Sequence, residues 1–373
     1  MSSSIAPGRT VLTANVALGR KLGSGGFGKV HVTDLPPHGE VAIKVIDRHE
    51  AETAFGITDW TDLKAHLFRE AENLKKAAHD HVVRVYLVAC DQTEDNVYIF
   101  SELCDGSLED AIETGPLPAD RAHVVTRQVL VGLEALHGRG MIHRDVKPAN
   151  ILHRSGAAKL ADFGLVTDRL IAGYASSSGY PEHLAPEVFD GCGTSTKSDV
   201  WATGVTLFRL LNGRRWYEEI KASMGIDWSD PSGAKDAIED LVTSGAYAKR
   251  LRWLPHVPSS WRRFVRKALH KDPARRYRDG GEMASAFMRA RLPDAPSRSC
   301  SFSGTSVVWE RPRDDRIDIV RWIRHSPRKQ EFVAESNPAS GAGRRQILRT
   351  SGGVVSPAYA YRGLEAFFGT RSR

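Results

Sequence analysis

A glycine-rich segment near the N-terminus has the spacing of a phosphate-binding loop. Gly23-Ser-Gly-Gly-Phe-Gly28 fits GxGxxG and is followed by Val30. Glycines allow backbone N–H groups to approach phosphate oxygens without a clash at Cβ. A dinucleotide-binding βαβ unit would need a helix directly after the glycines, whereas Lys29-Val-His-Val32 continues as a strand. The pattern predicts a glycine-rich hairpin, and the spacing alone leaves open whether it binds phosphate or is an ordinary turn.

A lysine and a glutamate downstream could complete such a site. Lys44 ends the short β-branched run Val-Ala-Ile-Lys, where a strand can direct its ammonium at the α- and β-phosphates of a nucleotide. Glu70 lies in the segment Asp62 to Ala77, whose apolar residues recur at helical spacing. Glu72 is the competing carboxylate, but it points about 200° away around the helix and faces solvent. We therefore predict an ion pair between Lys44 and Glu70.

Further charged motifs follow in the middle of the chain. Ile142-His-Arg-Asp-Val-Lys-Pro-Ala-Asn-Ile-Leu152 is followed by Lys159-Leu-Ala-Asp-Phe-Gly164 and later by Ala185-Pro-Glu187. With these motifs the sequence resembles the eukaryotic-type (Hanks-type) Ser/Thr protein kinase family over about residues 12–292. The glycine-rich loop, Val-Ala-Ile-Lys, His-Arg-Asp, Asp-Phe-Gly and Ala-Pro-Glu occur in the family order at the family distances. Chance does not produce that agreement.

The resemblance implies ATP as the phosphoryl donor and Mg²⁺, or Mn²⁺ in its place, as the metal. It also implies that Asp145 accepts the proton of the incoming hydroxyl and that Lys147 neutralises charge on the γ-phosphate. Lys44 would hold the α- and β-phosphates, and Asn150 and Asp162 would bind the metal. The implied nucleotide-binding residues are Gly23, Ser24, Gly25, Gly26, Phe27, Gly28, Val30, Ala42, Lys44, Glu102, Cys104 and Leu152.

The implied activity is transfer of the γ-phosphoryl group to Ser and Thr of protein substrates, including the chain itself. The spacing His-Arg-Asp-x-Lys-Pro-x-Asn is similar to that of Ser/Thr kinases. A catalytically inert scaffold would usually lack one of the charged residues named above, and none is missing. A small-molecule kinase generally lacks both Ala-Pro-Glu and the segment Asp199-Val-Trp-Ala-Thr-Gly204. Tyr180 replaces the usual family threonine, and this departure puts the acceptor preference in doubt.

The resemblance implies further structural and regulatory roles. Asp199 would brace the backbone of the catalytic loop, and Glu187 would form a buried ion pair with Arg276, leaving Arg275 exposed. Ser101 would stand behind the hinge, Glu102-Leu103-Cys104, as a small gatekeeper, or merely pack there. Arg144 could bind a phosphate on the segment before Ala-Pro-Glu, although a flexible loop without phosphate explains its serines equally well. The candidate phosphorylation sites are Thr167, Ser176, Ser177 and Ser178.

These residues need a bilobal α+β fold to position them. We expect a five-stranded antiparallel N-lobe with one main helix over residues 12–103, and a mostly α-helical C-lobe over residues 104–292. Two flanking regions complete the chain, an N-terminal tail over residues 1–11 and a C-terminal extension over residues 293–373. The helices expected in the C-lobe are Ala119 to His137, Lys197 to Asn212, Ser259 to His270 and Gly281 to Arg291.

The C-terminal extension is basic and rich in Ser, Gly and Arg. From Ser297 onward it has 14 Lys and Arg against 7 Asp and Glu, which accounts for the formal net charge of +7. We expect it to be extended or disordered, with short docking segments for a partner at Ile317 to Ile323 and Tyr359 to Phe368. Nucleic acid is a disfavoured partner because no binding motif is formed, although basic and aromatic residues are present: Trp309, Arg321, Trp322, Arg324, Arg344 and Arg345.

Composition sets the remaining limits. Hydrophobic residues make up 41% and charged residues 26% of the 373 residues, as in globular proteins. The apolar stretches are shorter than the roughly 18 residues of a membrane span, and no secretory signal is visible. The four cysteines lie far apart without a CxxC pair, so neither a disulfide framework nor a zinc site is expected. We therefore expect a cytoplasmic protein.

Overall fold

The computed structural model describes residues 10–12, 16–25, 28–55, 59–76, 78–162, 181–289, 299–341 and 343–369. It has two lobes, as expected from the sequence. The upper lobe consists, in chain order, of β1 (Thr10–Val11), β2 (Lys21–Gly25), β3 (Gly28–Asp34), β4 (Glu40–Asp47), α1 (Arg48–Phe55), α2 (Trp60–Lys76), β5 (Val85–Cys90) and β6 (Asn96–Glu102).

The upper-lobe strands form one sheet in the order β1-β5-β6-β4-β3-β2. Strands β2 to β6 pair antiparallel, which confirms the predicted arrangement. The two-residue strand β1 adds to the edge and runs parallel to β5. Val41, Ile43 and Phe100 are buried on this sheet, as their β-branched and aromatic character favours.

The upper lobe contains one helix that the sequence pattern did not indicate. The Asp47 carboxylate accepts the Glu50 N–H at 2.8 Å and thereby caps the N-terminus of α1 directly after β4. The expected helix is α2, which buries Leu63, Leu67 and Leu74 along one face. Helix α1 contacts β4, whereas the main strand contact of α2 is β5.

The lower lobe is mostly helical, as predicted. The strands described in this lobe form one three-stranded sheet in the order β7-β8-β9. The four expected helices are present within one or two residues at each end, and the described residues of this lobe form five further α-helices. In chain order the elements are β7 (Gly106–Ser107), α3 (Leu108–Ala111), α4 (Ala119–His137), β8 (Ile151–Arg154), β9 (Ala157–Leu160), α5 (Pro186–Phe189), α6 (Thr196–Asn212), α7 (Arg214–Ala222), α8 (Pro231–Thr243), α9 (Ala246–Arg250), α10 (Ser259–Ala268) and α11 (Gly280–Arg289).

Helix α6 is the central element of the lower lobe. Every residue from Ser198 to Asn212 is buried, so the helix is surrounded on all sides. A Cβ on Gly204 would lie 2.9 Å from the Leu269 side chain, which shows how closely α10 and its end approach α6 at this point. None of the helices in the described ranges is both long and apolar enough to cross a membrane.

The C-terminal extension is folded, so the expectation of an extended or disordered tail is wrong for the described residues from 299 onward. Five antiparallel strands form a sheet in the order β10-β11-β12-β13-β14, and a helix follows. We call these six elements the C-terminal module. They are β10 (Ser299–Ser303), β11 (Ser306–Pro312), β12 (Arg316–Ser326), β13 (Lys329–Pro338), β14 (Gln346–Thr350) and α12 (Pro357–Phe368).

The module folds because its apolar residues alternate along the strands. Trp309, Val320, Trp322, Phe332 and Ala334 all lie on one face of the sheet and are buried. The numerous arginines between them obscure this period of two in the overall composition. The predicted docking segments are therefore β12 and α12, two packed elements of the module.

The module packs against the lower lobe. The rings of Trp216 and Trp322 have their centroids 5.9 Å apart. Trp309 Nε1 donates to His256 Nδ1 at 3.1 Å, and Tyr361 Oη donates to the Trp253 carbonyl at 2.9 Å. Buried residues of the lower lobe and of the module belong to one continuous hydrophobic core. Both tryptophans of the module are thus unavailable for stacking on bases, which removes the aromatic part of the nucleic-acid alternative.

Candidate active site

The catalytic loop lies between α4 and β8. Lys147 Nζ is 2.8 Å from Asp145 Oδ2. Asn150 Nδ2 donates to the same carboxylate oxygen at 2.7 Å and to the Asp145 carbonyl at 3.0 Å. A cation and an amide therefore fix the orientation of the Asp145 carboxylate, and the three residues predicted for this site lie together.

Asp199 supports the loop from below. Its buried carboxylate accepts the N–H of His143 at 2.7 Å and the N–H of Arg144 at 2.8 Å. Arg144 has φ of 73°, a left-handed conformation that is costly for a residue with a side chain. The two hydrogen bonds stabilise that conformation directly before Asp145. The predicted bracing role of Asp199 is confirmed.

Asp199 is itself held by a histidine. His137 Nε2 lies 2.9 Å from Asp199 Oδ2, and His137 Nδ1 accepts the Gly280 N–H at 2.9 Å. Because Nδ1 acts as the acceptor, the ring proton lies on Nε2 and points at Asp199. This contact joins α4, α6 and α11 beneath the catalytic loop, and the motifs gave no indication of it.

Lys44 contacts Asp162 across the two lobes. Its Nζ lies 3.0 Å from Asp162 Oδ1, although the residues are 118 positions apart. Desolvation raises the pKa of the Asp162 carboxyl, but the charge of Lys44, their hydrogen bond and the charge of Lys147 outweigh it, so the pKa is below its usual value. Asp162 is therefore held as a carboxylate, as a metal ligand requires.

The predicted ion pair between Lys44 and Glu70 is wrong. Both residues are in the described part of the chain, where the ammonium of Lys44 pairs with Asp162 and no ion pair joins it to Glu70. The reason is the placement of α2, which packs mainly against β5, while α1 occupies the contact with β4, the strand of Lys44. The helix that carries Glu70 is therefore offset from Lys44.

The glycine-rich segment forms the predicted hairpin. Strand β2 ends at Gly25 and pairs there with Gly28, the first residue of β3. Gly28 has φ of 131°, and a Cβ at this position would lie 2.2 Å from the Val45 carbonyl oxygen. Only glycine fits these two constraints. Gly23 and Ser24 are exposed on β2, and Gly26 and Phe27 lie outside the described residues.

The apolar residues predicted around the adenine lie on two different sheets. Val30 and Ala42 are on β3 and β4, and Ala42 pairs with Ser101 on β6. Leu152 is on β8 in the lower lobe, where it pairs with Lys159. The strand register thus places the smallest of these residues, Ala42, beside the proposed gatekeeper.

The hinge begins with a charged network that the sequence did not reveal. The buried Glu102 carboxylate lies 2.9 Å from both Lys159 Nζ and Arg154 Nη1, and it accepts the Arg84 N–H at 2.8 Å. Burial opposes its ionisation, but these partners lower the pKa of Glu102 below its usual value. Burial raises the pKa of the neighbouring Cys104 thiol to about 11, so that side chain stays neutral.

The predicted ion pair between Glu187 and Arg276 is confirmed. Both terminal nitrogens of Arg276 bind the Glu187 carboxylate at 2.8 Å, in a two-pronged geometry. Arg276 is buried and also donates to the carbonyls of His270, Lys197 and Lys271. Arg275 is exposed, as expected.

A buried chain of polar contacts behind the catalytic loop was missed. Burial, and next the charge of Arg209, lower the pKa of His183 well below its usual value. The neutral ring donates from Nδ1 to the Val146 carbonyl at 3.0 Å and accepts from Arg209 at 3.4 Å. Arg209 also binds both Glu109 carboxylate oxygens, at 2.6 and 2.8 Å. The departure from the family pattern before Ala-Pro-Glu, Gly-Tyr-Pro-Glu-His183, was the only signal in the sequence.

The predicted regulatory residues of the segment before Ala-Pro-Glu cannot be placed. Thr167, Ser176, Ser177, Ser178 and Tyr180 lie outside the described residues. Their modification and the effect of Tyr180 on acceptor choice remain predictions.

Comparison with known proteins agrees with this geometry. Residues 16–287 match the family model described as the protein kinase domain. The Ser/Thr-protein kinase pkn2 of Myxococcus xanthus is 36% identical over 224 residues, which cover 56% of this chain and 26% of that protein. PrkC of Bacillus subtilis is 31% identical over 278 residues, 73% of this chain and 40% of PrkC. PknB of Mycobacterium leprae is 30% identical over 335 residues, 82% of this chain and 49% of PknB.

The matches extend over less than half the length of each of these relatives. The match to the family model, however, covers most of this chain, and it includes the catalytic loop, Lys44, Asp162 and the Glu187–Arg276 pair. The chain belongs to the protein kinase family, of the eukaryotic Ser/Thr type.

Proposed function

We propose that this protein is an ATP-dependent kinase that transfers the γ-phosphoryl group to Ser and Thr hydroxyls of protein substrates and of its own chain. The observation that carries this proposal is the Asp145 carboxylate, which is oriented by Lys147 and Asn150 on a loop whose backbone Asp199 holds. Phosphoryl transfer depends mainly on positioning and charge neutralisation, and this arrangement supplies both.

The residues fit ATP and a divalent cation. Because Gly28 has no Cβ, its backbone can approach the Val45 carbonyl and form the hairpin that would cover the phosphates. Asp162 is kept ionised, and Asn150 adds an amide oxygen, so the donor set consists of the oxygen ligands that Mg²⁺ prefers. When bound, Mg²⁺ would neutralise negative charge on the phosphate oxygens. We propose Mg²⁺ as the physiological metal, with Mn²⁺ able to replace it.

Each residue of the chain then has a defined task. Asp145 accepts the proton of the acceptor hydroxyl, because its carboxylate is the group that Asn150 and Lys147 orient. Lys147 offsets negative charge on the transferred phosphoryl group. Lys44, which neutralises Asp162 in this structure, would also hold the α- and β-phosphates. The Gly23–Gly28 hairpin offers backbone N–H groups to the phosphates.

Three further points belong to the proposal. Val30, Ala42 and Leu152 would enclose the adenine, with backbone groups of Glu102 and Cys104 as its hydrogen-bond partners. The substrates are proteins with accessible Ser or Thr.

We place the enzyme in the cytoplasm, an expectation that all four cysteines support by carrying free thiols. Fractionation of cells that express the tagged chain would test this location.

The activity is tested by transfer of radiolabelled γ-phosphate from Mg-ATP to the protein itself and to a generic basic protein. We expect label in the wild type, recovered as phosphoserine or phosphothreonine, and its loss in Asp145→Asn and Lys44→Met. The matched control is Arg275→Ala, which removes an exposed charge outside the site and should leave labelling unchanged. A folded wild type that binds ATP but yields no label, even after treatment with an activating kinase, would instead indicate a scaffold.

A further inference from the structure

The outer edge of the C-terminal module has features of a binding surface. Strand β14 pairs with β13 on one side, and within the described residues no strand pairs with its other side. All five residues of β14 are exposed. An edge strand of this kind presents backbone N–H and C=O groups that can pair with another extended chain. We call the segment from Arg344 to Val355 the β14 edge.

The β14 edge is apolar as well as exposed. Ile347, Leu348 and Val354 are 52%, 44% and 54% exposed. With Tyr359 they make up half of the large hydrophobic residues that are exposed among the described residues. Ile347 lies opposite Glu335, and Leu348 is the extra residue of a bulge between Ile347 and Arg349, so both exposed side chains are available to an added strand. A concentration of this kind is typical of an interaction site.

The charge of the β14 edge selects the partner. Arg344, Arg345 and Arg349 lie within six residues, and no Asp or Glu occurs between Glu335 and Glu365. Arg345 pairs with Glu335 at 2.7 Å. In the described part of the chain Arg344 and Arg349 form no ion pair through their exposed side chains. The edge therefore complements an acidic segment.

The same charges disfavour a second copy of this chain as the occupant. An antiparallel pairing of two β14 edges centred on Ile347 would place Arg345 opposite Arg349 of the other copy, twice over. Like charges directly opposite each other destabilise a strand pair. An acidic partner has the opposite effect at the same positions.

We propose that the β14 edge binds an acidic, extended segment of a partner protein, which adds to the sheet as a sixth strand. This function goes beyond phosphoryl transfer and uses none of the residues assigned to it. Backbone hydrogen bonds would supply the affinity, Ile347 and Leu348 the apolar contact, and Arg344 and Arg349 the preference for acidic side chains.

The hydrogen-bond pattern identifies a residue that can test strand addition. Ser351 N–H donates to the Phe332 carbonyl at 3.0 Å, so the backbone groups of Ser351 point toward β13. Groups alternate along a strand, and those of Thr350 therefore point away from β13, toward the open edge. Proline is tolerated at an edge position whose N–H faces solvent. Thr350→Pro removes this outward donor, whereas Thr350→Ala removes the hydroxyl and keeps the N–H.

The test measures binding of the fluorescein-labelled peptide Glu-Val-Glu-Val-Glu-Val-Glu to the full chain by anisotropy. We expect Thr350→Ala to bind as the wild type does and Thr350→Pro to bind about tenfold more weakly, because backbone hydrogen bonds are lost. The double variant Arg344→Glu with Arg349→Glu should lose binding, and a Lys-Val peptide should not bind. Equal binding by Thr350→Pro and Thr350→Ala would overturn strand addition.

Two further measurements make the test independent of how well Thr350→Pro folds. Amide hydrogen exchange in the wild type should slow at residues 346–350 when the peptide is added, and unchanged exchange there would refute the proposal. Two outcomes would reassign the β14 edge. A dimer in sedimentation that Thr350→Pro abolishes would indicate a second copy, and single-stranded DNA that displaces the peptide and binds both Thr350 variants equally would indicate nucleic acid.

Discussion

The catalytic loop of the lower lobe and Lys44 of the upper lobe bring charge to the same site, but they are supported differently. The buried Asp199 holds the backbone before Asp145. Lys147 and Asn150 hold the carboxylate of Asp145. Among the described residues, the Lys44 ammonium has one carboxylate partner, Asp162, which comes from the other lobe. The position of the Asp145 carboxylate is thus fixed by contacts within the lower lobe. The position of the Lys44 ammonium depends on a contact between the two lobes.

This difference has a physical origin. The catalytic loop is anchored on helices of a single core, with α6 buried from Ser198 to Asn212, so its geometry follows from close packing. Lys44 lies on a strand whose neighbouring helix, α1, carries no partner for it. The partner expected from the motifs, Glu70, is on α2, which packs on β5. Substitutions that weaken the buried contacts of the lower lobe should therefore lower the unfolding free energy more than substitutions that weaken the Lys44 contact.

The largest effect is expected for Arg276→Ala. This substitution leaves the Glu187 carboxylate, which is 15% exposed, and three carbonyl groups without their cation. Removal of one partner of a buried ion pair costs about 3–5 kcal/mol of unfolding free energy. Denaturant unfolding of wild type and variant measures this loss. Arg275→Ala, an exposed neighbour, should change stability little, and equal effects of the two variants would contradict the structural role of the pair.

An intermediate effect is expected for Asp199→Asn. The asparagine side chain has no negative charge to attract the N–H groups of His143 and Arg144. Its NH₂ group also faces at least one of these two donors, where the carboxylate had an acceptor. We expect a loss of about 1–3 kcal/mol in unfolding free energy. The rate of phosphoryl transfer, compared at equal folded fractions, should fall as well because the backbone of Arg144 is left-handed and needs this support.

The matched control for Asp199→Asn is Asp190→Asn, which changes an exposed carboxylate without an ion pair among the described residues. Asp190→Asn should leave both the unfolding free energy and the rate of phosphoryl transfer unchanged. Retention of full activity by folded Asp199→Asn would show that the loop keeps its geometry without the brace.

The smallest effect is expected for the Lys44–Asp162 contact, and it depends on pH. The folded pKa of Asp162 is lowered, so the contact contributes stability above the usual carboxyl pKa near 4, and this contribution is lost as the pH falls through the folded pKa. Because the Asp162 side chain is 41% exposed, the contribution stays below about 1 kcal/mol.

Unfolding free energies of the wild type and Lys44→Met between pH 3 and 7 test this expectation. Without Lys44, the Asp162 carboxyl loses the strongest of the influences that lower its pKa, so the advantage of the wild type should shrink as the pH falls. Lys249→Met, which removes an exposed lysine of α9 that has no ion pair among the described residues, is the control and should show no such trend. A difference between wild type and Lys44→Met that is constant across the range would refute the coupling.

Motifs in the sequence were sufficient to predict several contacts of the lower lobe. The bracing of the catalytic loop by Asp199 and the Glu187–Arg276 pair were both implied by the resemblance to the kinase family, and both are present. The hairpin at Gly23–Gly28 also follows locally, since a strand pattern flanks the glycines on both sides. These predictions succeed because the local pattern and the buried packing favour the same arrangement.

Other features depend on contacts between distant segments. The neutral state of His183 requires both its burial and the cation of Arg209, which lies 26 positions away. The C-terminal module was taken for a disordered tail because its composition is basic and rich in small residues. Its alternating apolar residues become decisive only when β10 to β13 pair and cover the lower lobe at Trp216 and His256.

The sequence by itself determined the chemistry available to this protein: a glycine hairpin, an ammonium on a strand, and the carboxylates and amide of the catalytic loop. Those properties reside in side-chain types and short-range spacing. Only the tertiary structure decided that Lys44 pairs with Asp162 and not with Glu70, and that the arginine-rich C-terminus folds into a sheet. Both outcomes depend on which surfaces pack together. Lys44 and Asp162 are 118 positions apart, and no local sequence pattern specifies a contact over that distance.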